Sequence, residues 1–255
     1  MLPLFEAKMI HLYDTRWATY EQDGSTRLMA DNEKVNHHSP MARYWVHEDE
    51  IDRKLAGRWD QNWFLGWRRI ARSTDERTLI ATRLPRVALG DSIFVALSGA
   101  RGDMSSFLQA CLGSHVLDFV MRQKMGGTNA SFYLIEQLPV PSPMNLMTRI
   151  GEPMDRHLQE GVAGKVDRLN GWISDSADRA RTSAELDAAA FHLYGLTRDE
   201  VSYVMDTFPI VKRKDEAAFG SFRTKELILS VYDAMAEAKA SGHAYQPPWP
   251  QEVHG

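Results

Sequence analysis

The chain has 255 residues, of which 44% are hydrophobic and 25% charged, a composition typical of a globular protein with one large domain or two small ones. No run approaches the roughly 20 apolar residues of a membrane span, and the first residues lack the basic and apolar regions of a signal peptide. A single cysteine, Cys111, excludes an internal disulfide framework and predicts a reducing, cytoplasmic location. The net charge of -4 argues against indiscriminate binding of polyanions, although local basic patches remain compatible with it.

Short runs rich in β-branched and aromatic residues, separated by turn signals, predict strands in the first part of the chain. These runs are KMIHLY, RWATY, ARYWV, WFLGWRRI, TLIATRL and SIFVAL, which begin at residues 8, 16, 42, 63, 78 and 92. Residues 47–55, HEDEIDRKL, predict a short exposed helix between two of the strands. The polar residues 21–40 predict a mobile loop.

The hydrophobic period then changes to that of helices. An apolar stripe over residues 105–124 predicts one amphipathic helix that packs on the sheet and ends at Gly126-Gly127. Cys111 lies on this stripe and is predicted to be a buried small hydrophobe. SFYLIEQL, residues 131–138, predicts a further strand, which the prolines of PVPSP end.

Beyond about residue 145 the pattern is helical throughout. Thr182 with Glu185 and Thr197 with Glu200 have the spacing of capping boxes, and Gly242 is expected to close the last helix. The sequence therefore predicts an α+β fold. A mixed-sheet domain with a packed amphipathic helix spans residues 1–143, a mainly helical part spans 144–242, and a disordered tail spans 243–255.

The sequence motifs of known catalytic sites are absent or incomplete. HEDEI at His47 lacks the second histidine of a zinc-protease motif, and GSHVLD places its serine, histidine and aspartate on one helix without a strained serine turn. QPPW, residues 246–249, resembles the Asn/Asp-Pro-Pro-aromatic motif of amino-group methyltransferases, but Gln stands in the key place and no cofactor-binding glycine loop accompanies it. These gaps favour a binding function over an enzyme and predict no catalytic, cofactor or metal site in this chain.

Two stretches carry the residue types that contact DNA. Residues 68–86 contain six arginines against two acidic residues, and RQKMGGTN, residues 122–129, combines cations and an asparagine with a Gly-Gly pair that permits close backbone approach. Arg and Lys contact phosphates and guanine edges, and Asn contacts adenine edges. The residues predicted to contact DNA are Arg68, Arg69, Arg72, Arg77, Arg122, Lys124, Thr128 and Asn129.

A structural role remains open for the same residues. Arg122 and Lys124 end a helix, where cations interact favourably with the dipole, and Gly-Gly can simply cap that helix. Arg68 and Arg69 point to opposite faces of a strand, so at most one of them faces a ligand. The acidic pair at 75–76 can hold a neighbouring arginine in a turn.

Four blocks of the chain carry a resemblance to a known family. They are LPLFEAKMIHLYDTRWATYE, WFLGWRRIARSTDERTLIATRLPRVALGDS, LDFVMRQKMGGTNASFYLIEQLPVPSP and ELDAAAFHLYGLTRDEVSYVMDTFPIVKRKDEAAFGSFRTKELILSVYDAM. In this order they resemble the carboxy-terminal region of large adenine-specific DNA methyltransferases of restriction–modification systems, notably the type IIG enzymes. The resemblance covers nearly the whole chain except residues 21–40, residues 144–175 and the tail.

In that family this region follows the methylase core and includes the target-recognition part, which reads the DNA sequence. The resemblance therefore implies binding of double-stranded DNA beside a methylase core of the same or a partner polypeptide, where AdoMet would bind, with or without an endonuclease. It also implies that the chain is a fragment or expressed domain of a larger phage-defence enzyme. An alternative is a protein-interaction domain that docks the methylase core or a partner subunit while DNA is read elsewhere.

Overall fold

Three small sheets form the first part of the protein, in a computed structural model that describes residues 1–97, 103–141 and 153–250. The strands are β1 (Leu2–Phe5), β2 (Ala18–Tyr20), β3 (Thr26–Leu28), β4 (Tyr44–Val46), β5 (Trp63–Arg68), β6 (Ala81–Pro85), β7 (Ala88–Leu89) and β8 (Ile93–Ala96). One sheet has the order β4-β1-β7, with β1 antiparallel to β4 and parallel to β7. A hairpin joins β2 and β3, and β5 lies between β6 and β8 in an antiparallel sheet.

Helices make up most of the rest, so the fold is α+β as predicted. They are α1 (Asp31–Val35), α2 (Glu48–Leu55), α3 (Asp103–Gly113), α4 (His115–Lys124), α5 (Phe132–Glu136), α6 (Pro153–Gly171), α7 (Ser176–Tyr194), α8 (Arg198–Asp206), α9 (Pro209–Phe219) and α10 (Arg223–Ser241). None of the helices in the described ranges combines the length and the apolar character needed to cross a bilayer.

Strand β5 is the central strand of the sheet beside which the candidate site lies. Its two faces are both buried, because Leu65 and Trp67 pack against α3 and α4 while Phe64 packs toward β1 and the turn after it. Gly66 sits where a Cβ atom would lie 2.6 Å from Leu84 Cδ1, so this strand approaches its neighbours too closely for any side chain.

Five of the six predicted strands coincide with observed ones, whereas the strand predicted for KMIHLY is wrong. That segment holds a 3-10 helix, Ala7–Met9, followed by an irregular turn. Met9 and Ile10 are both fully buried, which adjacent residues of a half-buried strand are not. The predicted loop over 21–40 is also more ordered than expected, since it contains β3 and α1.

The single helix predicted over 105–124 is two helices, α3 and α4. Ser114 breaks the run in an extended conformation, and its hydroxyl accepts a hydrogen bond from the amide of Leu117 at 3.3 Å. The apolar stripe continues across the break, which is why periodicity alone did not indicate it. Both helices pack on the β5 sheet as predicted, and Cys111 is buried, which raises the pKa of its thiol to about 12.

The strand predicted over 131–138 is also wrong, because the segment forms the short helix α5. Leu134 and Ile135 pack against the core beneath the β5 sheet, whereas Phe132 and Tyr133 are exposed. An adjacent outward pair followed by an adjacent inward pair fits a helical turn, but a short apolar run does not distinguish a helix from a strand by itself.

The helical part past residue 145 is confirmed over residues 153–241. Thr197 and Glu200 form the predicted capping box at the start of α8, and Gly242 ends α10 in a left-handed conformation with φ of 71°. The box predicted at Thr182 is wrong, since that residue is buried in the middle of α7 and Asp175 caps the helix instead.

The core of the helical part reaches across the predicted boundary at residue 143. It includes Tyr13, Ala110 and Val116 from the first part of the chain. Residues 243–250 of the predicted disordered tail form neither helix nor strand, yet the Tyr245 hydroxyl donates to Glu185 Oε1 at 3.0 Å. Residues 142–152 and 251–255, on which the domain junction and tail end were placed, lie outside the described residues.

Candidate nucleic-acid interface

The loop between α4 and α5 is held in place at both of its ends. Met125 and Ala130 are buried in the core beneath the β5 sheet. The loop also pairs with the chain that leaves β5: the amide of Ala130 donates to the Arg69 carbonyl at 2.7 Å, and the amide of Ala71 donates to the Thr128 carbonyl at 3.2 Å. The loop therefore behaves as an added edge of the sheet, with a fixed position relative to residues 69–72.

Between these anchors, four consecutive residues face solvent: Gly126, Gly127, Thr128 and Asn129. A Cβ atom on either glycine would meet nothing within 4 Å, so the glycines leave open space rather than fill a tight contact. Lys124 is exposed at the end of α4, immediately before the loop. This arrangement presents backbone amides, a hydroxyl, a carboxamide and an ammonium group on one short segment.

The neighbouring segment 69–72 supplies two further cations. Arg72 is exposed, and among the described residues its guanidinium has no hydrogen-bond or ion-pair partner. Arg69 is about one-third exposed and lies 3.1 Å from Asp91 Oδ2, whose side chain is 93% exposed. Such a surface pair contributes little to stability, so a phosphate could replace Asp91 at small cost.

Arg77 and Arg122 were predicted to contact DNA, but the structure gives them a partner inside the protein. Both approach Asp118, which is fully buried: Arg77 Nε lies 2.9 Å from Oδ2 and Arg122 Nε lies 3.2 Å from Oδ1. The Arg77 contact is an ion pair without the alignment of a hydrogen bond. Arg77 also donates to the Gly113 carbonyl, and the Thr78 amide donates to both Asp118 oxygens.

Arg122 in addition holds the turn that follows Arg72. Its guanidinium donates to the carbonyl oxygens of three turn residues at 2.7 to 3.2 Å, namely Ser73, Asp75 and Glu76. Its Cζ lies 4.2 Å from the ring centroid of Phe208 on the helical part. Arg122 therefore positions the segment that carries Arg72 and is itself only 8% exposed.

Arg68 is likewise used internally. It is largely buried and donates from Nε to the Ile10 carbonyl at 3.0 Å, and burial lowers the pKa of its guanidinium. The eight predicted contact residues thus divide in two. Three arginines bind buried or backbone partners within the protein. Five residues lie on the loop and on the segment paired with it, which together we call the recognition face: Arg69, Arg72, Lys124, Thr128 and Asn129.

Two exposed aromatic residues beside the recognition face were not predicted from the sequence. Phe132 is 45% exposed and stacks on Phe94 with ring centroids 4.4 Å apart, and Tyr133 is 72% exposed. The incorrect strand over 131–138 concealed them, because a strand would turn one of two adjacent side chains inward. Ser131 before an apolar run was the available signal for a helix start.

The described residues hold no group of three or more His, Cys, Asp or Glu side chains that could bind a metal ion. The charges around the recognition face are its own three cations with the carboxylates of Asp75 and Asp91 nearby. This arrangement suits contact with a polyanion through a few defined positions.

Comparison of the chain with protein-family models, with curated proteins and with solved structures found no match.

Proposed function

We propose that this chain is the target-recognition part of an adenine-specific DNA methyltransferase of the restriction–modification type, and that the recognition face contacts double-stranded DNA. The observation that carries the proposal is the GGTN loop, which is anchored at both ends and exposed between them. Rigidly held loops with exposed polar side chains are the usual means of placing recognition groups. The methylase core, with its AdoMet, belongs in this proposal to the same or a partner polypeptide.

The residues of the recognition face divide by chemistry. Arg72 and Lys124 are flexible exposed cations suited to phosphate oxygens, which fix register but carry no sequence information. Asn129 and Thr128 are suited to base edges, since a carboxamide bonds adenine on two atoms and a hydroxyl bonds several edges. The glycines at 126–127 allow the backbone to approach the groove without a side chain in between.

The test is binding of duplex DNA by the chain and by single variants. Arg72→Ala and Lys124→Ala should each lower affinity for all duplexes alike and reduce the salt slope, log Kd against log salt, by about 0.9. Asn129→Ala should instead weaken discrimination, measured by selecting preferred duplexes from a random library, by about 1–3 kcal/mol at one base pair.

The matched control is Arg58→Ala, an exposed arginine in the turn after α2, beside the start of β5 and so at the other end of that strand from the recognition face. It should bind and discriminate like the parent. Equal binding by the parent, Arg72→Ala, Lys124→Ala and Asn129→Ala, all shown to be folded, would exclude the recognition face as the DNA site.

A second candidate function, docking of a protein partner, is favoured by one observation. Strand β4 lies at the edge of its sheet, and Tyr44 and Trp45 on it are 51% and 50% exposed, with Met41 nearby at 57%. Exposed edges with apolar side chains suit pairing with another chain. Trp45→Lys should abolish association with a methylase subunit and leave DNA binding unchanged if β4 is that docking site.

A further inference from the structure

A cavity of about 200 Å³ lies between the turn after β1 and the junction of α6 with α7. Four ring systems contribute to its walls, and Arg179 and Ser183 line it from α7. The ring-bearing residues are His11, Tyr13, Trp17 and Trp172. Pockets for drug-sized ligands hold roughly 300–1,000 Å³, so this one suits a single planar ring system.

The aromatic walls are held in fixed positions. The rings of His11 and Trp17 lie 4.3 Å apart at an interplanar angle of 30°. Trp172 has two cations against its ring, with Lys34 Nζ at 3.9 Å and Arg179 Cζ at 4.3 Å from the centroid. The His11–Trp17 pair is a flat wall of the kind that stacks on heterocyclic bases, because every base presents a π face.

Two of the residues that line the cavity adopt backbone conformations that are uncommon for residues with large side chains. Tyr13 has φ of 56° and Trp172 has φ of 84°, in the left-handed region that favours glycine. Trp172 follows directly after α6, at the position where helices usually place glycine. Strained residues cluster at ligand sites more often than elsewhere, and here both line one cavity.

The charged groups that line the cavity are Asp14 and Arg179. Both oxygens of Asp14 are already engaged, one by Lys34 Nζ at 2.8 Å and one by the amide of Arg16 at 2.8 Å. Arg179 makes one long hydrogen bond, 3.4 Å to the Leu169 carbonyl, and most of its N–H groups have no other partner among the described residues. Arg179 therefore offers free donors to a ligand that brings acceptors.

Trp172 adds an independent indication. Its indole Nε1 is buried, and in the described part of the chain it has no hydrogen-bond partner. Buried donors are nearly always satisfied in native structures, and this one belongs to a residue that lines the cavity. The cavity is thus a flat-walled space with the guanidinium of Arg179 on its wall.

We propose that this cavity binds a guanine base, either as a free nucleotide or as an unstacked base of a nucleic acid. Guanine presents O6 and N7 as two acceptors on one edge, which an arginine fork contacts on both atoms. Adenine places a donor beside N7 and so meets the Arg179 guanidinium less well. The proposal is independent of the recognition face, which lies on other elements.

The test uses the chain itself and follows the indole N–H signals by ¹⁵N NMR during titration with guanosine 5′-monophosphate. The signals of Trp17 and Trp172, assigned by single replacement with Phe, should shift with a dissociation constant of about 1 mM or below. Adenosine 5′-monophosphate should bind about ten-fold more weakly, and ribose 5-phosphate should cause no shift. The signal of Trp45 on β4 serves as an internal control and should not move.

Two variants separate base recognition from simple attraction of an anion. Arg179→Lys keeps the charge but loses the fork, and should weaken guanosine monophosphate binding about ten-fold. Arg58→Lys, in the exposed turn after α2, should bind like the parent. The proposal is overturned if guanosine monophosphate leaves both indole signals unchanged at several-fold above about 1 mM, or if ribose 5-phosphate shifts them equally.

A last pair of probes identifies the source of the base. A single-stranded oligonucleotide with one guanine is compared with the same strand carrying an abasic site at that position. Tighter binding of the guanine strand than of the mononucleotide, lost at the abasic site, supports a base of a nucleic acid. Equal binding of the strand and the mononucleotide supports a free nucleotide, and equal binding of the two strands contradicts the base site.

Discussion

Replacing Asp118 by Asn tests the internal role assigned to Arg77 and Arg122. Asn keeps the size of the side chain and can still accept from the Thr78 amide, so the change removes mainly the charge. Two buried guanidinium groups then lose their only carboxylate partner among the described residues. Removing one partner of a buried ion pair costs about 3–5 kcal/mol, because the remaining charge is left desolvated and uncompensated.

We expect the free energy of unfolding, measured by urea denaturation with an unchanged m-value, to fall by about 3–5 kcal/mol in Asp118→Asn. The matched control is Asp91→Asn, which breaks the ion pair of Arg69 at the surface. Its side chain is 93% exposed, so a change within about 0.5 kcal/mol is expected. A loss below about 1 kcal/mol in Asp118→Asn would show that the two arginines do not depend on this carboxylate.

Three further predictions follow from the surroundings of His11, Gly66 and the Gly126-Gly127 pair. Burial and then the nearby arginines lower the pKa of His11 from 6.5 to about 3, so between these values His11 binds the proton only in the unfolded chain. Urea unfolding at about pH 7 and about pH 5.5 should show about 1 kcal/mol of stability lost at this site on acidification, and His11→Gln should reduce the loss by that amount. Gly66→Ala should lower the unfolding free energy by about 1–3 kcal/mol, because the added methyl group would overlap the Leu84 side chain. Alanine at both Gly126 and Gly127 should leave the unfolding free energy unchanged or raise it by about 0.4–1 kcal/mol per site, yet weaken duplex binding in a titration, because the methyl groups project into open space.

The parts of the fold that follow from local pattern were predictable from the sequence. Alternating and β-branched runs located β5, β6 and β8, and the capping box at Thr197 located the start of α8. These features depend on residues within a few positions of one another. Segments whose structure depends on distant packing were not predictable in this way, as the incorrect strands at KMIHLY and SFYLIEQL show.

The arginines show that the candidate site, like the fold, was only partly predictable from the sequence. Six of them between residues 68 and 86 indicated a basic patch, but which ones face solvent depends on partners far along the chain. Asp118 lies 41 residues beyond Arg77, and the carbonyls that hold Arg122 lie 46 to 49 residues before it. A single sequence does not reveal such pairs, so Arg72 and Arg77 looked equivalent although one is exposed and the other buried.

The GGTN loop was the more predictable part of the site. Gly-Gly after a helical stripe indicated the end of α4, and the exposed Thr-Asn pair follows from it. Its attachment to residues 69–72 was not predictable, because the isolated bridge between Ile70 and Asn129 joins two separate segments. The cavity at Trp172 was likewise not predictable from the sequence, because it depends on how the turn after β1 packs against α7.

Hydrogen–deuterium exchange of the backbone amides, with and without a mixed-sequence duplex at low salt, tests the proposed recognition face most directly. The duplex should slow exchange in peptides covering residues 124–131 and 69–73, because DNA covers the exposed GGTN loop and the segment paired with it. Peptides covering β4 should exchange at the same rate in both conditions. Slower exchange at β4 with no change at 124–131, or no change anywhere under conditions where the duplex is bound, would contradict the proposal that this loop reads DNA.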